Sequence, residues 1–374
     1  MRTTQHKIIS KSKDHPARRA MLIDFELDAG EAVASDIVVQ QTGWTLYCLD
    51  QGKQCAVFVK TSETLDVMRA PFFRMAQYEQ AEHVLLMPWE DLHRVAAHAA
   101  LPANLIFIFN IGRSGTTLVS HMLDKVEGVY SLSEPNAQLD VVMNRFENGP
   151  LVTRQLLESC TRMLCRKADG SVPEHVAFKL YSQCLFNCAD YHAAFPTAKF
   201  VFLYRDAIGW GNSVYKMMRG YGMSLTLDAA AFANYWRITS AGYDIRYLEH
   251  YVSPQAEVYV PEQLIGASWC LHLETYMQLF NSGVPFLALR YNEIVSQRDH
   301  STTLLLQHCA LSSTALDHAL AVFAQDSQQG SGIGKDNLNT GFTAESETRL
   351  LQTLSLHAQF KSAEFILPDI YAAA

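Results

Sequence analysis

Metal-ligand spacing, a basic surplus and long apolar runs are all missing from this sequence of 374 residues, and each absence removes a class of function. The eight cysteines include no CxxC pair, and His93 and His98, five positions apart on a helix-like stretch, do not share a face as an i, i+4 metal pair would. The cysteines therefore read as reduced, buried, small apolar residues, and no metal is expected. Thirty Lys and Arg against 38 Asp and Glu give a formal net charge of −8, which supplies no basic field for nucleic acid. No run of about 18 apolar residues is present to cross a membrane. The start MRTTQHKIISKSKDHPARRA lacks the apolar core of a secretory signal, so a cytoplasmic location is expected.

What is present suits a well-packed protein: 49% of residues are hydrophobic and 18% charged. The length allows one large α/β domain with an extension, or two domains. Residues 1–20 are polar and net basic and read as disordered. Residues 21–102 read as an N-terminal extension, β-rich and helical, of unknown role. Within it, WTLYCLDQGKQCAVFVK suggests two strands around the turn Asp50-Gln51-Gly52-Lys53, and PFFRMAQYEQAEH and MPWEDLHRVAAHAA are helix-like. From 103 to 374 strand and helix signals alternate. The short apolar runs at 105–110, 175–181, 198–205 and 285–291 read as strands buried on both faces of a mostly parallel central sheet, the middle of a three-layer α/β domain. Residues 206–281 read as helical and aromatic-rich. Aromatics at helical spacing are most often core, but this stretch is also the place expected for an acceptor pocket.

The stretch LIFIFNIGRSGTTLVSHML is a strand feeding a glycine loop and a helix N-terminus, the arrangement that holds phosphates. It lacks the lysine of a Walker A motif. Backbone N–H groups, three hydroxyls and one guanidinium from Gly112, Arg113, Ser114, Gly115, Thr116 and Thr117 can surround an anion. Alone, such a loop is weak evidence, because glycine turns between strand and helix are common structural devices. Its company strengthens it: the strand 198–205 ends in Arg205, and Ser213 follows eight residues later in the next helix. Loops at the carboxyl edge of a parallel sheet are where ligands bind, so two anion sites there suggest a nucleotide with phosphates at two places.

The segments GRSGTTLVSHMLDKVEGVYSLSEP and FPTAKFVFLYRDAIGWGNSVYK resemble the paired cofactor signatures of sulfotransferases that use 3′-phosphoadenosine 5′-phosphosulfate (PAPS), over roughly residues 104–340. The likeness is nearest to the tyrosylprotein sulfotransferase branch and its bacterial relatives, which have RSGTT where the cytosolic enzymes have KSGTT. It implies that Ser114 to Thr117 cradle the 5′-phosphosulfate and that Arg205 and Ser213 grip the 3′-phosphate. Glu134, 21 residues after Arg113, matches the branch's catalytic glutamate and would be the general base. Read without the resemblance, it is a surface or helix-capping acid. Arg113 is the first candidate to neutralise the leaving phosphate, and Lys179 the second, although Lys179 also reads as a solvated strand-end lysine.

Tyr291 in LRYNEIV resembles a tyrosine at the adenine end of the cofactor, or is a core tyrosine. Lys335 in GSGIGKDNL resembles a basic residue for the 3′-phosphate, or is a solvated loop charge. Leu118 departs from the cytosolic enzymes, which stack adenine on a tryptophan there, so the adenine contacts must differ. The resemblance implies PAPS as donor, its product adenosine 3′,5′-bisphosphate (PAP), no metal, and a small-molecule, lipid or sugar acceptor. Homo-oligomers are compatible with this reading. The rivals are a P-loop nucleotide kinase, which would want a lysine where Thr116 stands, and a non-catalytic PAP-binding or scaffold protein.

Overall fold

The computed structural model describes residues 1–374 apart from 15–17, 63–66, 68–69, 71–72, 221, 223, 225, 253–257, 325–340, 370 and 372–374. Two sheets organise it. The first comprises β1 (Thr4–Lys11), β2 (Phe25–Leu27), β3 (Glu31–Ala32), β4 (Trp44–Asp50), β5 (Cys55–Lys60) and β6 (His83–Pro88), paired antiparallel in the order β2-β1-β6-β5-β4 with β3 on β1. Helices α1 (Ile37–Gln40), α2 (Phe73–Gln80) and α3 (Trp89–Ala97) accompany it. The expected hairpin is the β4–β5 pair, with Asp50 opposite Cys55.

Two of these strands differ from the sequence reading. The polar start, expected to be disordered, forms β1, whose Thr4 to Lys7 pair with Leu86 to His83. Its backbone is satisfied by neighbours on both sides, so the strand persists although most of its side chains are half or fully exposed. The partner β6, HVLLMP, is a short apolar run between two helices, too brief for periodicity to assign.

The second sheet is parallel and has five strands, β7 (Asn104–Asn110), β8 (Val129–Ser133), β9 (His175–Lys179), β10 (Lys199–Tyr204) and β11 (Phe286–Arg290), in the order β11-β10-β7-β9-β8. Near-continuous burial explains why β7, β9, β10 and β11 read as short apolar runs, whereas β8, with the sequence VYSLS, does not read as one. The connecting helices are α4 (Thr116–Asp124), α5 (Asn136–Met143), α6 (Arg145–Leu164), α7 (Cys188–Ala194), α8 (Ala207–Gly220), α9 (Ala229–Thr239) and α10 (Pro261–Asn281). After β11 come α11 (Tyr291–Ser296), α12 (Arg298–His308), α13 (Leu316–Leu320) and α14 (Ala344–Ser355). The chain divides into two compact units, Met1–Phe107 with Leu123–Leu180 and Ala189–Ala198, and Ile108–Met122 with Tyr181–Cys188 and Lys199–Ala374.

In the first unit the N-terminal segment is fastened to α5 by polar groups. Asn136 takes both backbone groups of Ala20, accepting its N–H at 2.9 Å and donating to its C=O at 3.1 Å. Asp140 Oδ2 accepts from Leu49 N–H at 2.9 Å and from Asn136 Nδ2 at 2.8 Å. Burial nevertheless pushes the Asp140 carboxyl up to about 7. Between the unfolded value of about 4 and this folded value, the native chain holds a proton that the unfolded chain has released. Asp140 therefore makes stability fall as pH rises from about 4 to about 7, with no further change above. Urea unfolding of Asp140→Asn, whose side-chain oxygen can still accept from Leu49, should accordingly gain on the parent at pH 8 and lose that advantage at pH 4. A constant difference at both pH values would refute this.

In the second unit the stretch from 206 to 281 is carried by α8, α9 and α10, and Tyr215, Phe232, Trp236 and Tyr251 from it are buried. Phe232 stacks on Tyr259 at 4.3 Å, and Trp236 on the half-buried Tyr247 at 5.7 Å, so much of the aromatic content is packing. All eight cysteines are buried and none forms a disulfide. Among the described residues, no helix is long and apolar enough to cross a membrane, and no three His, Cys, Asp or Glu are placed to share a metal ion.

Candidate active site

Each of the five parallel strands delivers one candidate residue at or just past its carboxyl end: Arg113 after β7, Glu134 after β8, Lys179 in β9, Arg205 after β10 and Tyr291 after β11. The loop after β7 turns through left-handed backbone at Gly112 (φ 70°), Arg113 (φ 50°) and Gly115 (φ 85°) before Thr116 opens α4. For an arginine that conformation is uncommon and costs energy, which the surroundings must supply. Gly112 N–H donates to Asn110 Oδ1 at 2.7 Å and Ile111 N–H to Leu203 C=O at 3.3 Å, fixing the loop's start. Trp210 of α8 donates its indole N–H to the carbonyls of Ile111 (3.1 Å) and Gly112 (2.8 Å). The Ser114 hydroxyl is fully buried and has no hydrogen-bond partner among the described residues.

Arg113 Nε donates to Ser213 Oγ at 3.0 Å. Arg205 and Ser213, expected to share one phosphate, thus have separate partners: the Arg205 guanidinium lies 4.8 Å from the centre of the Tyr291 ring. Its Nε is buried without a hydrogen-bond acceptor among the described residues, with Asp206 Oδ2 at 3.7 Å. Asp206 Oδ1 accepts the Gly209 N–H at 2.6 Å, capping α8. A Cβ at position 209 would stand 2.7 Å from Arg205 Nε, so the glycine gives the arginine room to fold back. Tyr291 lies against Gly115 as well as Arg205, which brings three of the predicted positions into one contact group. Leu118, in place of the tryptophan of the cytosolic enzymes, is buried. Lys335 lies outside the described residues.

In the first unit, Glu134 also has left-handed backbone (φ 54°), and its N–H donates to Lys179 C=O at 2.8 Å. Its Oε1 is 3.1 Å from Lys179 Nζ, which also donates to Ser133 Oγ at 3.2 Å. Lys179 is 5% exposed, which rules out a solvated strand-end lysine. A buried ammonium needs an anionic partner, and Glu134, about one-third exposed at its side chain, supplies it while keeping access to solvent.

No protein-family model matches the chain, and no curated protein matches it. Among solved structures it is similar to the sulfotransferase STF9 from Mycobacterium avium, at 13% identity and a TM-score of 0.39, over 71% of this chain and 79% of that one. It is similar also to the sulfotransferase domain of the Synechococcus olefin synthase, at 14% identity and a TM-score of 0.34, over 72% of this chain and 98% of that one. Retinol dehydratase, solved in complex with retinol and PAP, is a third, at 12% identity and a TM-score of 0.33, over 76% of this chain and 89% of that one.

The residues themselves fit a phosphate-bearing ligand. A buried hydroxyl and a buried guanidinium N–H, each without a hydrogen-bond acceptor among the described residues, are costly unless something accepts from them, and an anion oxygen can do so. Gly115 shows how tightly the group is packed: a Cβ there would approach Tyr291 Cδ2 to 2.5 Å, on a backbone that disfavours any side chain. On the PAPS reading of the sequence, Gly115→Ala should weaken PAP binding at least tenfold by calorimetry, and Tyr291→Ala in the same chain should restore part of the loss. Additive losses in the double variant would show that the two residues do not meet. Trp210 escapes sequence reading, since a tryptophan in an amphipathic helix carries no local sign of a distant loop; Gly209 and Asn110, whose partners lie two to four positions away, are not singled out by it either.

Proposed function

We propose that the chain transfers a sulfuryl group from PAPS to a hydroxyl or amine of a small molecule, lipid or sugar. The observation that most supports this is the fully buried Ser114 hydroxyl, without a hydrogen-bond partner among the described residues, in a left-handed loop at the start of α4, where an arginine precedes the second glycine and no lysine follows it. A P-loop kinase would require a lysine where Thr116 stands.

In this reading the N–H groups and hydroxyls of Ser114 to Thr117 bind the 5′-phosphosulfate, Arg205 and Ser213 bind the 3′-phosphate with Lys335 as a further cation, and Tyr291 meets the adenine end. PAPS supplies an activated sulfur whose bond to the 5′-phosphate oxygen breaks as the acceptor oxygen or nitrogen bonds to it. Glu134 takes the acceptor proton on Oε2, while Lys179 holds Oε1. Arg113 and Lys179 offset the negative charge that develops on the bridging oxygen, the role given to metal ions in phosphoryl transfer. The net charge of −8 favours an acceptor that is not a polyanion.

Calorimetry of the unmodified protein with PAP, ADP and 5′-AMP tests the donor. PAP should bind at least tenfold more tightly than either competitor, because it alone carries a 3′-phosphate. Equal affinities would overturn the assignment.

A further inference from the structure

An anion-binding loop has a second requirement besides its donors: its carbonyl oxygens must be turned away from the anion and satisfied elsewhere. Here the two carbonyls at the start of the loop, Ile111 and Gly112, converge on one indole N–H, that of Trp210, at 3.1 and 2.8 Å. Trp210 is 4% exposed and sits in the first turn of α8. Three positions on, the same helix presents Ser213 to Arg113 Nε. The helix begins directly after Arg205-Asp206. One rigid element thus fixes the backbone of the loop, receives its arginine, and starts at the arginine assigned to the other phosphate.

We infer that Trp210 is a positioning residue for the 5′-phosphate: by holding the carbonyls of Ile111 and Gly112 outward, it keeps the loop's N–H groups aimed at the anion. The inference rests on the nucleotide reading given above and adds to it a residue that touches neither substrate. Without the indole N–H, both carbonyls lose their donor and the loop can turn an oxygen inward, where it repels the phosphate. The 3′-phosphate, held through Arg205, is unaffected by that change. Trp210 therefore acts on one end of the nucleotide alone.

Trp210→Phe keeps the aromatic body and removes the N–H. Calorimetry should show PAP and 5′-AMP each binding about tenfold more weakly than to the parent, the worth of one to two lost hydrogen bonds, with 3′-AMP within about twofold. Unchanged PAP and 5′-AMP affinity would overturn the inference, as would an equal loss for 3′-AMP, which a merely structural role produces. The two readings fail differently: a parent protein that binds PAP no better than 5′-AMP loses the PAPS assignment, while the 5′-AMP arm still tests Trp210. If the variant does not fold, the unmodified protein labelled with 15N-tryptophan answers. Of its five indole N–H signals, one slow to exchange with solvent should shift on adding 5′-AMP and stay in place with 3′-AMP. No such signal would overturn the inference.

Discussion

Glu134→Gln should lower sulfuryl transfer by about 10²–10⁴-fold, the usual worth of a general base, and leave PAP affinity within about twofold. The amide matches the carboxylate in shape and can still accept from Lys179 Nζ, now 3.1 Å from Oε1. The backbone bond from Glu134 N–H to Lys179 C=O is untouched. What the amide cannot do is take a proton from the acceptor. The left-handed backbone at this position is the structural reason for singling it out from the other acids. Strain at a residue other than glycine persists only where neighbours enforce it, and here β9 does so from one side and Pro135, leading into α5, from the other. Transfer measured with PAPS and a small phenol or alcohol that the parent accepts, alongside PAP calorimetry, decides the matter. Equal activity in the variant removes Glu134 as the base. A parent that binds PAP tightly and transfers nothing to any acceptor favours the non-catalytic alternative.

Much of the parallel sheet was legible because strands buried on both faces leave unbroken apolar runs, as LIFIFN and KFVFLY show. The first sheet was only half legible. Its hairpin announces itself through a turn between two apolar strands, whereas β1 is held by backbone pairing that side-chain polarity does not report. The loop residues 112–117 stood out because glycine and hydroxyl spacing is a local property. The side chain that fixes their start did not, for Trp210 acts on Ile111 and Gly112 across nearly a hundred positions of sequence. Glu134 and Lys179 were singled out as candidates through family resemblance, and their pairing at 3.1 Å could not be foreseen, since nothing in LSEP or VAFKLY states that one carboxylate and one ammonium meet. Ion pairs between strands are set by sheet order, and sheet order is not a local signal.

Arg205→Ala should abolish the preference for a 3′-phosphate, cutting PAP affinity by about 10–100-fold, the worth of a charge-assisted pair, to the level of 5′-AMP. The guanidinium is suited to that task by what already holds it. Its face lies 4.8 Å from the Tyr291 ring centre, and its own carbonyl accepts the Trp269 indole N–H at 3.0 Å, so both ends of the residue are oriented while Nε has no acceptor among the described residues. Little rotamer freedom is left to lose on binding. Arg205→Lys separates charge from geometry. It keeps the cation but not the planar pair of donors, so it should recover only part of the preference. The Asp206 cap on Gly209 N–H involves neither substitution and should keep α8 folded in both variants. If 5′-AMP weakens as much as PAP, Arg205 serves the adenosine or the loop rather than the 3′-phosphate, and the assignment of the second anion site fails with it.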